Sequence, residues 1–361
     1  MTRGESTIRP SSARPAYPDR VPILAIEALG LVLASTAPQQ PTATPPPQEL
    51  RFRETVEVER LVVEARAVSD AGDAILGLGP ADFRVEVDGR RVVVESAFWV
   101  AEEPQLAEEA PVVVVPDPLP PRGRSIVFLF QKSLQASRVE GFLEMRQEAA
   151  SLLQRLHPED RVAVMSFDSR LRMWQDFTTD RARLSAALDR LLAGGPERWS
   201  GSEDEPSLAD HLDRQAARDA ASIEQALALL GEALAPLPGG KSLAFFGWGF
   251  GRFSWSGVEM EPNYHEAREA LKRARVSVFC LDVTRADYHS LEEGLREVAE
   301  DTGGFYARTH LFPGQALRRL EGALAGYYLL SFRRPEGARP PFDLDIKLVG
   351  HPGEVLVRET Y

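Results

Sequence analysis

The stretch Ser125–Gln135, SIVFLFQKSLQ, determines how the rest of the chain is interpreted. It opens with a continuous apolar run, Ile126 to Phe130, which is typical of a strand buried on both faces of a parallel sheet. Polar residues begin abruptly at Gln131. Because open α/β sheets bind ligands outside the carboxyl ends of their strands, this boundary predicts a site that starts at Gln131.

The composition limits the possible functions. With 361 residues, 43% of them apolar and 27% charged, the chain can form two domains and a full hydrophobic core. Its formal charge of −12 argues against nucleic acid or an anionic membrane as the main partner, since both favour a basic surface. The single cysteine, Cys280, excludes an intramolecular disulfide and a cysteine-based structural zinc site, and its apolar neighbours indicate a buried strand position.

The first part of the chain is predicted to precede the folded domains. Residues 1–37 contain several arginines followed by the apolar stretch VPILAIEALGLVLA and small residues, which is the outline of an export signal. Pro22 and Glu27 interrupt that stretch, so a disordered cytoplasmic leader is the alternative. The stretch is too short to form a stable membrane span. We therefore expect an exported protein (periplasmic, cell-surface or secreted) with a proline-rich linker over residues 38–49.

The remaining sequence predicts an α/β domain inserted into a β domain. Residues 50–100 read as strands around an Asp88–Gly89 hairpin turn, and a proline-broken linker follows over 101–122. Strands then alternate with helices over 123–334, which predicts a doubly wound, mostly parallel sheet with helices on both faces. Residues 335–361 alternate as strands again. Neither β segment alone has enough strands for a stable sheet, so we expect the two to pair in one sandwich-like domain.

One segment of the α/β domain departs from this pattern. Residues 195–221 contain seven acidic and three basic residues and show no clear periodicity in their first half. This segment is predicted to be an acidic surface insertion, and whether it covers the edge of the sheet is left open.

Several motifs carry a resemblance to a known family. They are GLGPADFRVEVDG before the linker, RSIVFLF at the first strand of the α/β domain, RVAVMSFDSRLRMWQDFTTD after its first helix, GGKSLAFFGWG near its middle, and EVAEDTGGFYA near its end. Together they resemble the von Willebrand factor A (VWA) superfamily, specifically the Acidobacteria-type bacterial VWA-related proteins. The resemblance covers nearly all of residues 50–361. It implies a Rossmann-like doubly wound sheet, a flanking β domain, export, and partner binding rather than catalysis.

The resemblance also implies a metal-ion-dependent adhesion site, but the ligands have been replaced. Only one of the matching positions keeps the side-chain type of the family, namely Ser133. A hard cation such as Mg²⁺ usually needs at least one carboxylate ligand. We therefore expect the metal site to be lost, with no cofactor; the alternative is Mg²⁺ or Ca²⁺ held by rearranged acids. The matching positions are Gln131, Ser133, Gln135, Ala221 and Trp248, and the acids available for the alternative are Asp282, Glu203, Asp204 and Glu205.

No motif supports an enzyme. The six histidines lack HExxH or another tight ligand spacing, and no Gly-x-Ser-x-Gly elbow is present, so hydrolytic chemistry has no anchor in the sequence. Gly239–Ser242 has the last residues of a phosphate loop, but the earlier glycine is missing and a strand follows, so a plain turn is favoured. The sequence predicts a protein that is not an enzyme.

A cluster of aromatic residues offers a better functional candidate. The stretch Trp248–Trp255, WGFGRFSW, follows a buried strand and is expected at the same edge of the sheet as Gln131. Because interface cores favour aromatic residues and arginine, we predict a non-enzymatic, protein-binding module of the cell envelope that needs no metal. The competing interpretations are internal packing of these aromatics, and a metal-dependent adhesion module. The candidate partner-binding residues are Trp248, Phe250, Arg252, Phe253 and Trp255.

Overall fold

The computed structural model describes residues 60–101, 123–199, 206–255 and 257–358. The predicted leader (1–37), the proline-rich linker (38–49) and nearly all of the 101–122 linker lie outside the described residues.

The apolar run of the opening stretch forms the middle of a six-stranded sheet. Strand β5 (Ser125–Gln131) is buried along its whole length and pairs in parallel with β6 (Arg161–Phe167) and β8 (Lys241–Gly247). Beyond β8 lie the parallel strands β11 (Val276–Asp282) and β12 (Tyr306–Arg308). Both faces of β5 are covered, which explains why its apolar residues are continuous rather than alternating.

The other edge of this sheet is antiparallel. Strand β7 (Leu171–Thr178) pairs antiparallel with β6 and has no further described strand beyond it, so the order is β12-β11-β8-β5-β6-β7. Numbered by sequence within the sheet, this is the 3-2-1-4-5-6 order of doubly wound folds. The predicted VWA-like fold class is therefore confirmed by the strand order.

Helices cover both faces of the six-stranded sheet. One face packs on α1, α2 and α7, and the other face on α3, α4, α5 and α6. Each layer has its own continuous apolar core, because alternate residues of β5, such as Phe128 and Leu129, point to opposite faces. The helices are α1 (Ala136–Arg155), α2 (Arg181–Ala193), α3 (Arg214–Asp219), α4 (Ile223–Leu234), α5 (Tyr264–Arg273), α6 (Glu292–Thr302) and α7 (Pro313–Ala325).

The flanking β region combines strands from both ends of the described chain, as predicted. A four-stranded sheet has the order β15-β1-β13-β4, and a three-stranded sheet has the order β14-β2-β3. The Asp88–Gly89 turn between β2 and β3 has positive φ at both residues (49° and 71°), as a type I′ hairpin requires. The strands are β1 (Arg60–Val68), β2 (Phe83–Val87), β3 (Arg90–Val92), β4 (Val94–Ala101), β13 (Gly326–Arg333), β14 (Leu344–Leu348) and β15 (Glu354–Leu356).

The predicted boundary at residues 334 and 335 is wrong by one strand. Strand β13 was expected in the α/β domain, yet it pairs with β1 on one side and β4 on the other. It follows α7 directly, without an intervening residue. The reason is that its alternating burial suits a sheet with only one covered face, whereas the inner strands of the parallel sheet are buried on both.

Two buried arginines join the β region to the α/β region at the end of α7. Arg66 on β1 donates from Nε to the carbonyl of Ala323 (3.0 Å), and Arg124 donates from Nη1 to the carbonyl of Leu324 (2.8 Å). The last carbonyls of a helix have no partner within the helix and carry partial negative charge, so a cation there is stabilising. The C-terminus of α7 is thus held from both regions.

Part of the predicted surface insertion is packed into the fold. Asp176 on β7 is fully buried and accepts hydrogen bonds from Ser207 Oγ (2.8 Å), the Leu208 amide (2.9 Å) and the Ala209 amide (3.1 Å). Leu208 is itself completely buried. Residues 207–209 are therefore anchored beside β7, whereas much of 210–221 is exposed, and Glu203, Asp204 and Glu205 lie outside the described residues.

Candidate functional site

The carboxyl ends of the parallel strands place four connecting segments at one edge of the sheet. Gln131 ends β5, Gly247 ends β8, Asp282 ends β11 and Arg308 ends β12, and the strand registers align these ends with one another. We use the word rim for the segments that follow them. The rim consists of residues 132–135, 248–259 without the undescribed position 256, 283–291 and 309–312.

Gln131 occupies the centre of the rim and binds backbone instead of projecting into solvent. Its side chain is 3% exposed. Its Oε1 accepts hydrogen bonds from the amides of Trp248 (2.9 Å) and Gly249 (3.2 Å), and its Nε2 donates to the carbonyl of Gly249 (3.0 Å). The amide therefore ties the end of β5 to the residues that follow β8, with its donor and acceptor both in use.

Trp248 packs beside Gln131 and contacts residues that follow it in the chain. Its indole Nε1 donates to the carbonyl of Lys132 (3.1 Å), and the guanidinium of Arg138 lies 3.9 Å from the centre of its ring. The indole is half-buried and packs against the α1 layer of the core. Trp248 thus acts mainly within the protein, which agrees with the internal-packing alternative for this residue.

The residues at the family's metal positions do not fit a divalent cation. Both ends of the Gln131 amide are engaged, and the hydroxyl of Ser133 accepts the amide of Gln135 (3.2 Å). Ala221 is exposed and offers only a methyl group. A hard dication would need to displace backbone hydrogen bonds without gaining a charged ligand.

A second polar cluster lies at the end of β11, where the sequence suggested only a strand-end acid. Asp282, 2% exposed, accepts at Oδ2 from Tyr306 (3.0 Å), and the same oxygen lies 2.7 Å from His289 Nε2. Its Oδ1 accepts the Thr284 amide (2.9 Å). Burial raises the pKa of the Tyr306 hydroxyl, so Tyr306 remains a hydrogen-bond donor over the ordinary pH range.

Glu292 completes this cluster from the first turn of α6. Burial would raise its pKa, but hydrogen bonds from Arg308 and Arg296 outweigh that effect and hold the pKa below its usual value. Arg308 contacts both carboxylate oxygens, at 2.6 and 3.0 Å from Nη2. The ligand atoms of Asp282, His289 and Glu292 lie within 4.8 Å of one another. The sequence indicated Asp282 but not His289 or Glu292, because the spacing of the three residues matches no metal-ligand motif.

The stretch that begins at Trp248 continues into an exposed hairpin. Strands β9 (Arg252–Ser254) and β10 (Gly257–Glu259) pair antiparallel, and they carry Phe253 at 73% exposure and Trp255 at 107%. Arg252 is exposed as well. Of the predicted partner-binding residues, the structure therefore places these three in solvent.

The prediction that Phe250 contacts a partner is wrong. It is 1% exposed and packs on Phe245, with ring centres 4.6 Å apart. Its backbone also lies so close to α6 that a Cβ on Gly294 would be 2.6 Å from the Phe250 carbonyl oxygen. Phe250 therefore anchors the base of the hairpin and cannot contact a partner.

Other exposed apolar side chains lie in the same set of loops. Each follows the carboxyl end of a parallel strand, so the topology places all of them at the rim. Contiguous exposed apolar patches often belong to binding surfaces, so these residues are candidates for one. They are Leu134, Phe253, Trp255, Tyr288, Leu311 and Phe312, with exposures between 61% and 107%.

Comparisons with known proteins give distant likenesses to solved structures and identify no function. No protein-family model matches the chain, and no curated protein matches it either. Among solved structures, a von Willebrand factor type A protein from Catenulispora acidiphila is 11% identical, covering 83% of this chain and 74% of its own, with a TM-score of 0.42. BatB from Bacteroides thetaiotaomicron is 18% identical over 56% of this chain and 99% of its own (TM-score 0.35). The N-terminal domains of the pilus tip protein Mfa5 from Porphyromonas gingivalis are 11% identical, with 72% of this chain and 54% of that chain covered (TM-score 0.36).

None of the helices in the described ranges combines the length and apolar character needed to cross a bilayer.

Proposed function

We propose that this VWA-like chain is a non-enzymatic, protein-binding module of the cell envelope, and that its rim contacts the partner without a metal ion. The observation that carries the proposal is the exposed hairpin with Phe253 and Trp255 at the rim. The envelope location rests on the leader-like pattern of residues 1–37.

The chemistry of the rim supports binding over catalysis. The Ser133 hydroxyl accepts a backbone amide, and no described histidine lies within hydrogen-bond distance of it. His289 faces Asp282 through Nε2, while its Nδ1 is buried and has no partner in the described parts of the chain. A nucleophile and a base within hydrogen-bond reach are the usual signature of covalent catalysis, and these groups do not form one.

The hairpin has the properties of an interface anchor. A tryptophan buries roughly 150–250 Å² when it is covered, and the Trp255 side chain is fully exposed in the free protein. The hairpin's base is fixed by Phe250 and by a hydrogen bond from the Gly251 amide to the buried Glu224 carboxylate (2.5 Å). A rigid base lowers the entropic cost of binding, because the aromatic side chains are already presented.

Replacing Trp255 by alanine is expected to weaken partner binding at least about 30-fold, which corresponds to the roughly 2 kcal/mol of an interface hot spot. The partner is first recovered by affinity capture from an envelope fraction with the full chain as bait, and the affinity of the purified pair is then measured for each variant. Phe253→Ala is expected to act in the same direction.

Phe98→Ala provides a matched control, since Phe98 is an aromatic side chain with 65% exposure on β4, away from the rim. It should leave the affinity unchanged. If Phe98→Ala weakens binding while Trp255→Ala does not, the binding surface lies on the β region and the proposal is wrong.

A metal-dependent module is the alternative because the described residues include a donor set at the end of β11. Asp282, His289 and Glu292 bring two carboxylates and an imidazole together. Arg308 and Arg296 already neutralise Glu292, and His289 and Tyr306 already contact Asp282. A cation would have to displace these partners, so the residues favour the metal-free proposal.

Calorimetric titration with Mg²⁺, Mn²⁺ and Ca²⁺ distinguishes the two proposals. We expect no binding tighter than about 1 mM, the affinity that corresponds to roughly −4 kcal/mol. Tighter binding that is lost in Glu292→Gln but kept in Ser133→Ala would establish the alternative at the end of β11. Tighter binding that is lost in Ser133→Ala would instead place a metal at the family position.

A further inference from the structure

The outer edge of β4 is a long sheet edge without the usual protection. β4 pairs with β13 on one side, and no described strand pairs with it on the other. Edge strands are normally short or carry charged residues or proline, because their unpaired backbone groups can recruit a further strand. β4 has 8 residues, and its segment Ser96–Ala101 contains neither a charged residue nor a proline. The sequence of β4 therefore does nothing to stop its sheet from extending.

An apolar strip on the open face of the same sheet reaches this edge. Phe98 on β4 lies opposite Leu329 on β13, and Val62 on β1 is a diagonal neighbour of Leu329. Phe98 is 65% exposed and Val62 is 59% exposed, whereas Val63 and Leu330, on the other face, belong to the buried core of the β region. Contiguous exposed apolar residues often belong to binding surfaces. A strand added beside β4 would cover part of this strip.

The two ends of β4 differ in charge. A groove of about 660 Å³ beside the start of β4 is lined by four arginines and two glutamates, and Glu95, one of these glutamates, already pairs with an arginine of the groove (2.7 Å). The last residue of β4, Ala101, is followed in the sequence by Glu102 and Glu103. Two such strands running in opposite directions would place the acidic end of each beside the basic end of the other. The arginines are Arg90, Arg91, Arg333 and Arg334.

We propose that a second copy of this chain pairs antiparallel with the outer edge of β4, around a two-fold axis at Phe98. In this register Phe98 lies opposite its own counterpart, and Ser96 lies opposite Val100 of the second copy. Glu95 lies opposite Ala101. Each contact is made twice, as a closed two-fold dimer requires. The four-stranded sheets of the two copies then form one continuous sheet, on which the two apolar strips meet at the axis.

A second copy fits this edge better than an unrelated strand, because the edge is complementary to itself. Its centre is uncharged, and its two ends carry opposite charge. The dimer also leaves the rim free. Helix α7 begins directly after the rim segment 309–312, whereas β13, the neighbour of β4, begins where α7 ends. Self-association at β4 is therefore separate from the proposed binding of a partner at the rim and goes beyond it.

Sedimentation velocity of the full chain tests the dimer. At loading concentrations up to about 100 µM, the unmodified chain is expected to show a reversible monomer–dimer equilibrium. Phe98→Lys places like charges opposite each other at the two-fold axis, so it should raise the dissociation constant at least about tenfold. Because Phe98 is exposed, this variant is expected to remain folded, and a denaturant unfolding curve verifies that it does.

Phe253→Lys is the matched control, since Phe253 is an aromatic residue with 73% exposure in a strand of the rim hairpin. It should leave dimerisation unchanged. A dimer that Phe253→Lys weakens and Phe98→Lys does not would place the contact at the rim and overturn the proposal. A monomer at every concentration would overturn it too, and protection of the β4 amides from hydrogen exchange in that monomer would assign the edge to the linker of the same chain.

A cross-link tests the position of the axis. The natural cysteine, Cys280, is buried, so a short bis-maleimide reports on an introduced cysteine. Phe98→Cys is expected to give a covalent dimer. Val62→Cys lies on the same face but would be five strand spacings, roughly 24 Å, from its counterpart, so it should remain uncoupled. Equal cross-linking of the two variants would overturn the arrangement around Phe98.

Discussion

Replacing Asp160 by alanine is expected to lower the free energy of unfolding by about 3–5 kcal/mol. Asp160 is completely buried, and Arg124 is 7% exposed. The carboxylate accepts from the Arg124 amide (3.1 Å) and Nε (2.8 Å), contacts its Nη2, and accepts the amide of His157 (2.9 Å). Removal of the carboxylate leaves a buried guanidinium without its charge partner, which is the costly way to break a buried ion pair.

Asp189→Ala is the control for this prediction. Asp189 also pairs with an arginine, Arg146, but its side chain is 72% exposed, and exposed pairs contribute roughly 0–1 kcal/mol. Denaturant unfolding of both variants gives the comparison. Similar losses in the two variants would show that the Arg124–Asp160 pair contributes no more than a surface pair.

Gln131→Ala is expected to destabilise the protein by about 3 kcal/mol. The substitution leaves the amides of Trp248 and Gly249 and the carbonyl of Gly249 without their side-chain partner, and each buried unpaired group costs about 1–3 kcal/mol, non-additively. Loss of the link between β5 and β8 should also displace Trp248, so the indole signal of Trp248 is expected to shift in the folded variant.

A neighbouring glutamine of the same motif provides the control. Gln135 is exposed, and its side chain makes no hydrogen bond to the described residues, so Gln135→Ala should change stability by less than about 0.5 kcal/mol. Gln131→Glu keeps the shape but places a carboxylate oxygen against the Gly249 carbonyl, and it should fall between the two alanine variants in stability. Equal stability of Gln131→Ala and Gln135→Ala would contradict the role given to Gln131.

The fold could be predicted from local patterns because its main determinants are local. The apolar run before Gln131 and the Asp88–Gly89 turn each consist of consecutive residues. The buried strand and the hairpin turn that they predict are both present. The assignment of β13 failed because a strand's choice of sheet depends on partners distant in sequence. Arg60 of β1 lies opposite Arg333 of β13 in the antiparallel register. No local signal in the sequence specifies that these two strands are neighbours.

The site was predictable in position but not in its contacts. The sequence indicated the end of β5, yet the bonds of Gln131 reach residues 117 and 118 positions away. Spacing alone also could not separate Phe250, which packs inward, from Phe253, which is exposed, since both lie in one aromatic stretch.

The direct passage from α7 into β13 restricts how the protein can respond to a partner. The helix starts beside the rim, its last carbonyls are fixed by Arg66 and Arg124, and the next residue already belongs to a strand paired on both sides. Sliding α7 by one residue would move Tyr328, Leu330 and Phe332 from the covered face of that sheet to the open one. A one-residue, piston-like shift of α7 would therefore break the bonds of Arg66 and Arg124 and turn the apolar side chains of β13 outward, so the connection between α7 and β13 opposes such a shift.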